Sequence, residues 1–275
     1  MNCFPYKAVA FDLDDTLLRD DLTISESLIG ILRSLSAGGV HIIPASGRSR
    51  MSMLPFVNRI SCSSLYISCN GAELWDGKTH QQLKSLQFSI ELGREIAAFG
   101  KKYGCYAQTY GGEYFFFNQK SCWADRYAVA SCLKGIYVGD LETFIQEPRS
   151  KILMMDEASK IKGMLVDAQN HFSGRVSVTC SKPWFLEFNP IGADKGTALE
   201  TASIILGIKT NQIIAFGDGL NDLPMLRCAG RGVMMANGQE YLRSYVDDVC
   251  LSNQEDGIAK YLESLMQEEM HDSGK

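Results

Sequence analysis

The stretch Ala8-Val9-Ala10-Phe11-Asp12-Leu13-Asp14-Asp15-Thr16-Leu17-Leu18 constrains the fold more than any other part of this chain. Its apolar start reads as a short strand buried on both faces, the pattern of a parallel sheet. Acids then follow with no polar buffer. If the strand continues that far, Asp12 and Asp14 project to the same side, because side chains alternate with period two. Carboxylates crowded in this way repel and raise one another's pKa unless a cation lies between them. The spacing suggests a hard, oxygen-seeking ion such as Mg2+, commonly held by one or two carboxylates plus a substrate phosphate. The competing reading is an ordinary polar turn leading into a helix, and this stretch alone does not separate the two.

A chain of 275 residues is long enough for one large domain or two ordinary ones. With 45% hydrophobic and 21% charged residues, a packed soluble protein is expected. The net charge of -5 argues against broad nucleic-acid binding, which needs a basic face. No basic segment followed by an apolar one opens the chain, so no signal peptide is read. No apolar run approaches membrane-spanning length. The nine cysteines are scattered without a Cys-x-x-Cys pair and are expected to be buried thiols rather than a disulfide framework or zinc site. A reducing cytoplasm fits this usage.

Along the chain, Ser25 can cap a helix through Leu28, Ile29, Leu32 and Leu35 that Gly38-Gly39 ends. Val40–Ala45 and Leu65–Ser68 read as further buried strands, running into Ser46-Gly47-Arg48 and Asn70-Gly71-Ala72. Asp76-Gly77 marks a hairpin turn. From about residue 83 the texture changes to strands and helices rich in aromatics, read as an inserted α+β domain over 83–188. The βα rhythm then returns. Asp194-Lys195-Gly196-Thr197 opens a helix, and Ile213–Phe216 is a buried strand followed by Gly217-Asp218-Gly219-Leu220-Asn221-Asp222. Strands at Val233–Ala236 and Val249–Leu251, each trailed by a helix, and a frayed tail of about eight residues complete the reading.

Strands far apart in sequence therefore end in Asp12/Asp14, in Ser46, in Asn70-Gly71 and in Asp218/Asn221/Asp222. In an open parallel α/β sheet, ligands bind beyond the carboxyl ends of the strands, so these residues would meet along one edge. A chance polar turn does not explain such repetition. Phe11–Leu18, Ala45-Ser46-Gly47-Arg48, Ser68–Ala72, Lys195-Gly196-Thr197-Ala198-Leu199 and Gly217–Asp222, in this order, resemble the haloacid dehalogenase superfamily. More narrowly, they resemble its Cof-like branch of cytoplasmic phosphatases with a large α+β cap. Asp15 stands where that pattern has glycine most often, and Ser46 where threonine is frequent.

The resemblance implies an α/β fold: a parallel Rossmann-like core of 1–82 and 189–275, with the cap inserted as 83–188. It implies a Mg2+-dependent phosphatase acting on a small phosphorylated metabolite, a sugar phosphate or phosphorylated cofactor, through an aspartyl-phosphate. Asp12 would be the nucleophile and Asp14 the acid and base. Ser46, Gly47, Lys195 and Asn221 would contact phosphate or substrate. Asp12, the backbone carbonyl of Asp14 and Asp218 would hold the metal, and Asp222 would support Lys195 or a metal-bound water. A lysine at a helix start is mildly unfavourable toward the helix dipole, which favours a functional role for Lys195. Arg48 is read as structural, and no cap residue is singled out for specificity. A phosphomutase-type transferase and a catalytically silent phosphate binder are the alternatives; the intact Asp14 speaks against the second.

Overall fold

The computed structural model describes residues 4–272. The chain divides into two compact units, one of Met1–Gly47, Pro55–Leu83 and Asp194–Lys275, the other of Arg48–Leu54 and Lys84–Ala193.

The first unit begins with β1 (Ala8–Asp12), buried along its whole length. Helix α1 (Glu26–Ala37) follows, its N-terminus closed by the Ser25 hydroxyl, which accepts from the Leu28 amide at 3.1 Å. It buries Leu28, Ile29, Leu32 and Leu35, spaced to line one face. Then come β2 (His41–Ala45), α2 (Arg50–Ile60), whose residues up to Leu54 fall in the second unit, and β3 (Leu65–Ser68). β4 (Glu73–Asp76) runs antiparallel to β3 and is joined to its sheet neighbour β5 (Gln82–Ser85) by a turn in which Asp76 Oδ1 accepts from the amides of Lys78 and Thr79.

The second unit contains α3 (Ile90–Lys102), β6 (Tyr106–Gly111), β7 (Tyr114–Phe117), α4 (Cys122–Ser131), β8 (Lys134–Tyr137), α5 (Leu141–Phe144), β9 (Ile152–Met155), α6 (Ala158–His171), β10 (Val176–Thr179) and β11 (Phe185–Pro190). Its sheet runs β10-β11-β9-β6-β7-β8, antiparallel except between β7 and β8. Ala107, Ile152, Met154, Leu186 and Phe188 pack with Ile96, Ile161, Met164 and Phe172 of the helical side. Tyr106, Phe115, Phe117, Leu153 and Met155 form a second cluster with Ala124 of α4.

The chain then returns through α7 (Lys195–Leu206), β12 (Ile213–Gly217), α8 (Leu223–Cys228), β13 (Arg231–Met235), β14 (Asp248–Cys250) and α9 (Gly257–Asp272). The large sheet has the order β14-β13-β12-β1-β2-β3-β4-β5, parallel from β14 through β3. Ala8, Ala10, Ile43, Ile67 and Ala215 pack beneath Ala198, Leu199 and Ala202 of α7. The fold is α/β, with helices on a parallel core sheet.

Some expectations need correcting. The first strand stops at Asp12, so period-two alternation does not carry on to Asp14. β8 and α5 had no counterpart in the sequence reading. A 3-10 segment, Glu240–Tyr245, rather than an α-helix follows β13. Helix α9 runs to Asp272, into the stretch read as a tail, whose last three residues lie outside the described ones. The eight cysteines among the described residues are free thiols, but Cys122 and Cys132 are exposed rather than buried, and Cys3 lies outside the described residues.

Candidate active site

Strand order decides where the reactive residues meet. From β1 the chain steps outward through β2 and β3, then returns to place β12 on the opposite side of β1. The two strands are parallel and in register, with Phe11 beside Phe216. Asp12 therefore stands level with Gly217, and Asp218 begins the adjoining loop. Such a switch point leaves a crevice at the carboxyl ends of the strands.

Lys195 enters this place from the first turn of α7. The helix is capped by Asp194, whose carboxylate accepts from the Thr197 amide and hydroxyl, each at 2.8 Å. Gly71 lets the loop after β3 press against this cap: a Cβ there would lie 2.2 Å from the Asp194 carbonyl oxygen, and its φ of +99° is one that L side chains rarely adopt. The Lys195 ammonium is wholly buried and ion-paired with both Asp12 and Asp222. Asp222 uses its other oxygen, Oδ2, to accept from the amides of Asp218 and Gly219 at 3.0 and 2.9 Å. Gly217 permits this fold-back, since a Cβ there would meet the Asp222 Cβ at 2.5 Å.

Asp12, Asp218 and Asp222 each offer a carboxylate oxygen, all within 4.8 Å of one another. Burial pushes the Asp12 carboxyl well above the usual range; Lys195 opposes this, while Asp222, Asp218 and Asp14 add to it. Burial works against the Lys195 charge, but Asp12 and Asp222 together outweigh it and hold the ammonium above the ordinary lysine value. Asp218 is pushed up to about 7 by burial and by Asp222, against a hydrogen bond from Thr16. One lysine thus faces three close carboxylates, with Asp14 near enough to act on Asp12. A divalent cation fits this excess of hard oxygen donors. Because Lys195 and two amides engage both Asp222 oxygens, Asp12 and Asp218 are the carboxylates best placed to hold it.

Asp14 follows Asp12 in a tight turn, Leu13–Leu17, and is half-buried. Asp15 has φ +59°, in the left-handed region. That backbone explains why glycine is the easier residue here and why aspartate, one of the least disfavoured side chains in this region, is accommodated. The chain turns back after it, and the Thr16 hydroxyl donates to Asp218 Oδ1 at 2.8 Å.

Ser46 lies buried just beyond β2. Its amide donates to the Ile67 carbonyl and its carbonyl accepts from the Asn70 amide, tying the loops after β2 and β3 together. At Gly47 a Cβ would come within 2.7 Å of Asn70 Oδ1. That same oxygen accepts from Asn221 Nδ2 at 3.4 Å, so Asn221 leans on the Asn70 loop. Arg48 belongs to the second unit, where it donates to Ser52 Oγ and the Ala130 carbonyl.

Several supporting residues were absent from the sequence reading of the site: Thr16, Asp194 as a cap that fixes Lys195, and the asparagines Asn237 and Asn253. Asn237 Nδ2 donates to the Asp15 carbonyl at 2.7 Å, and Asn253 Nδ2 donates to the Leu18 carbonyl at 2.8 Å. The Asp194 cap is local, reaching Thr197 three residues on, but no local pattern signals the pairings of Thr16, Asn237 and Asn253, because each joins residues more than two hundred positions apart. Among the described residues, no helix is long and apolar enough to cross a membrane.

The sequence profile of the haloacid dehalogenase-like hydrolase family matches residues 9–262. The chain belongs to that family and is an enzyme of its Cof-like phosphatase branch. Among its relatives, an HMP-PP phosphatase of Serratia proteamaculans is 26% identical, over 94% of this chain and 94% of its own length. A 5-amino-6-(5-phospho-D-ribitylamino)uracil phosphatase of Bacillus subtilis is 27% identical, over 95% of this chain and 98% of its own. The crystal structure of a haloacid dehalogenase-like hydrolase from Bacteroides thetaiotaomicron matches with a TM-score of 0.87 and 27% identity, covering 94% of this chain and 99% of that one.

Proposed function

We propose that the protein is a Mg2+-dependent phosphatase that hydrolyses a small phosphorylated metabolite through an aspartyl-phosphate on Asp12. One observation carries this reading: a wholly buried Lys195 paired with Asp12 and Asp222, with Asp218 beside them. A buried, charged carboxylate held against a cation is placed to act as a nucleophile toward an anionic ester whose charge the same cation offsets.

Asp12 Oδ attacks phosphorus, and the bond from phosphorus to the ester oxygen breaks. Asp14 gives its proton to the departing alkoxide, which leaves as an alcohol. Asp14, now ionised, takes a proton from water as that water attacks the phosphorus of the aspartyl-phosphate. Inorganic phosphate leaves and the Asp12 carboxylate is restored. Lys195, Ser46 and the Gly47 amide hold the phosphate, Asn221 contacts the substrate, and Asp222 fixes Lys195. Asp12, the Asp14 carbonyl and Asp218 would hold Mg2+, which when bound neutralises charge on the phosphate oxygens.

Substrates named for the relatives, HMP-PP and a phosphoribitylaminouracil, support a sugar phosphate or phosphorylated cofactor as the class. Residues 83–188 are assigned the part of a cap that reads the organic portion of the substrate. A cytoplasmic setting accords with the free thiols. The test is release of inorganic phosphate by the purified protein from a panel of phosphorylated sugars, nucleotides and cofactors, with and without chelator. Selective, chelator-sensitive release is expected; full activity in EDTA would exclude the metal scheme. Release that needs a bisphosphate activator would favour a phosphomutase.

A further inference from the structure

The turn that carries Asp14 is held from outside. Leu13–Leu17 closes on itself when the Leu18 amide donates to the Leu13 carbonyl at 2.8 Å. Inside it, Asp14 is extended, with φ −72° and ψ 133°, and Asp15 is left-handed. A left-handed residue bearing a Cβ is disfavoured and persists where its surroundings fix it.

The surroundings here are two loops, following β13 and β14. Asn237 Nδ2 donates to the Asp15 carbonyl at 2.7 Å, while Asn237 Oδ1 accepts from the Asn253 amide at 3.1 Å. Asn253 in turn donates to the Leu18 carbonyl, and Arg19 Nη2 donates to both carboxylate oxygens of Asp256 at 2.8 and 2.9 Å. The turn is thus gripped at Asp15, Leu18 and Arg19. Two residues past Asn237, the Gln239 amide donates to the Asp218 carbonyl at 2.9 Å, so the same loop also touches the second acid strand end.

We propose that Asn237 is a positioning residue for Asp14: its grip on the Asp15 carbonyl keeps the left-handed turn that presents Asp14 to the leaving-group oxygen. This rests on Asp14 being the acid. Thr16 and its bond to Asp218 lie on the buried side of the turn, whereas Asp15 is exposed and Asp14 half-buried. Releasing the Asp15 carbonyl therefore loosens Asp14 more than Asp218. The clamp matters more because position 15 carries aspartate; glycine would adopt the same φ without a steric penalty.

The test uses Asn237→Ala and Asn237→Asp; the latter retains an acceptor for the Asn253 amide but sets an acceptor against the Asp15 carbonyl. The ratio kcat/KM, which reports departure of the alcohol and not the later hydrolysis of the aspartyl-phosphate common to both esters, is measured at saturating Mg2+ on a simple alkyl phosphate and on p-nitrophenyl phosphate, whose leaving group needs little acid. With one positioning hydrogen bond lost, kcat/KM for the alkyl ester falls about tenfold. For the aryl ester it falls less than about threefold, because protonation of that leaving group contributes little. Asp15→Gly added to Asn237→Ala restores the alkyl ester rate to within about threefold of the parent, since glycine meets no penalty at positive φ. In an Asp14→Asn background, Asn237→Ala changes nothing further. Equal losses on both esters, no loss, or no rescue by Asp15→Gly would overturn the proposal. Asp14→Asn alone separates the two levels. A selective alkyl ester loss there, without one in Asn237→Ala, sinks the clamp and leaves the acid assignment standing; an unselective loss sinks both.

Discussion

Lys195 and Asp12 form an ion pair from which water is excluded, joining the first strand of the sheet to a helix that begins after the large insertion. Taking both charges out of water is costly, and their mutual attraction alone does not guarantee a stable arrangement. Removing one member should therefore expose how strongly the acids depend on it.

In Lys195→Met the acids Asp12, Asp218 and Asp222 lose their one close ammonium. The metal-free variant should be less stable by about 3–5 kcal/mol near pH 8, the cost of uncompensated buried charge. With the lysine gone, the folded-state pKa values of Asp12 and Asp218, which Lys195 holds down, rise further above their unfolded ones. Their contribution to stability is then fully present below the unfolded values and lost as pH rises. Melting temperatures should converge with those of the parent protein toward pH 5. A deficit that does not change with pH would contradict this electrostatic origin.

Asp218 sets a pH window. Its carboxyl stands at about 7, against an ordinary value of 3.8. In the metal-free protein this group contributes stability that is present below 3.8 and lost as pH rises through about 7. Cation binding runs the other way, because it needs the ionised form. Half-saturating Mg2+ should rise by up to about tenfold per pH unit below pH 7. Relative to Asp218→Asn, the metal-free parent should gain thermal stability over the same descent. Parallel rather than opposite trends would refute the assignment.

Thr16 holds Asp218 Oδ1 through a 2.8 Å hydrogen bond that favours the carboxylate. Thr16→Val keeps the shape and removes the donor. At pH 7 half-saturating Mg2+ should rise by about three- to tenfold, the worth of one typical hydrogen bond. The difference should shrink at pH 9, where Asp218 is ionised in both proteins. Unaltered Mg2+ dependence at pH 7 would show that the bond does not tune the site.

Asp14→Asn should lower kcat/KM for alkyl phosphates at least about tenfold more than for activated aryl phosphates, since only the former need a proton donor. Hydrolysis of the covalent intermediate should also slow, because the variant has no base for the attacking water. Comparable losses on both ester types would remove Asp14 from the acid role.

The core of this arrangement was legible because the sheet is parallel. Ala8–Asp12 and Ile213–Gly217 are each buried throughout, and such strands write themselves as short apolar runs that end abruptly in polar residues. The helix cap at Ser25 was equally plain, and its hydroxyl accepts from the amide three residues on. What failed was local geometry. Period two was extended past Asp12, although the chain turns there and Asp15 goes left-handed, which a side chain other than glycine does not announce. Strand β8 escaped because Lys134-Gly135-Ile136-Tyr137 is short and has no fully buried position, so it shows no alternation. Thr16, Asn237 and Asn253 escaped because their partners are set by tertiary packing.

The most direct test is to quench the protein in acid during turnover of a radiolabelled aryl phosphate with Mg2+ present, then map the labelled peptide. Asp14→Asn should enrich the intermediate by slowing its hydrolysis. Asp12→Asn should cut turnover by on the order of 10^4-fold or more, as expected for loss of a nucleophile. An alkali-labile phosphate on the peptide bearing Asp12, present in Asp14→Asn and missing in Asp12→Asn, is the result that covalent catalysis at Asp12 predicts. Label on another residue, or undiminished hydrolysis by Asp12→Asn, would contradict it.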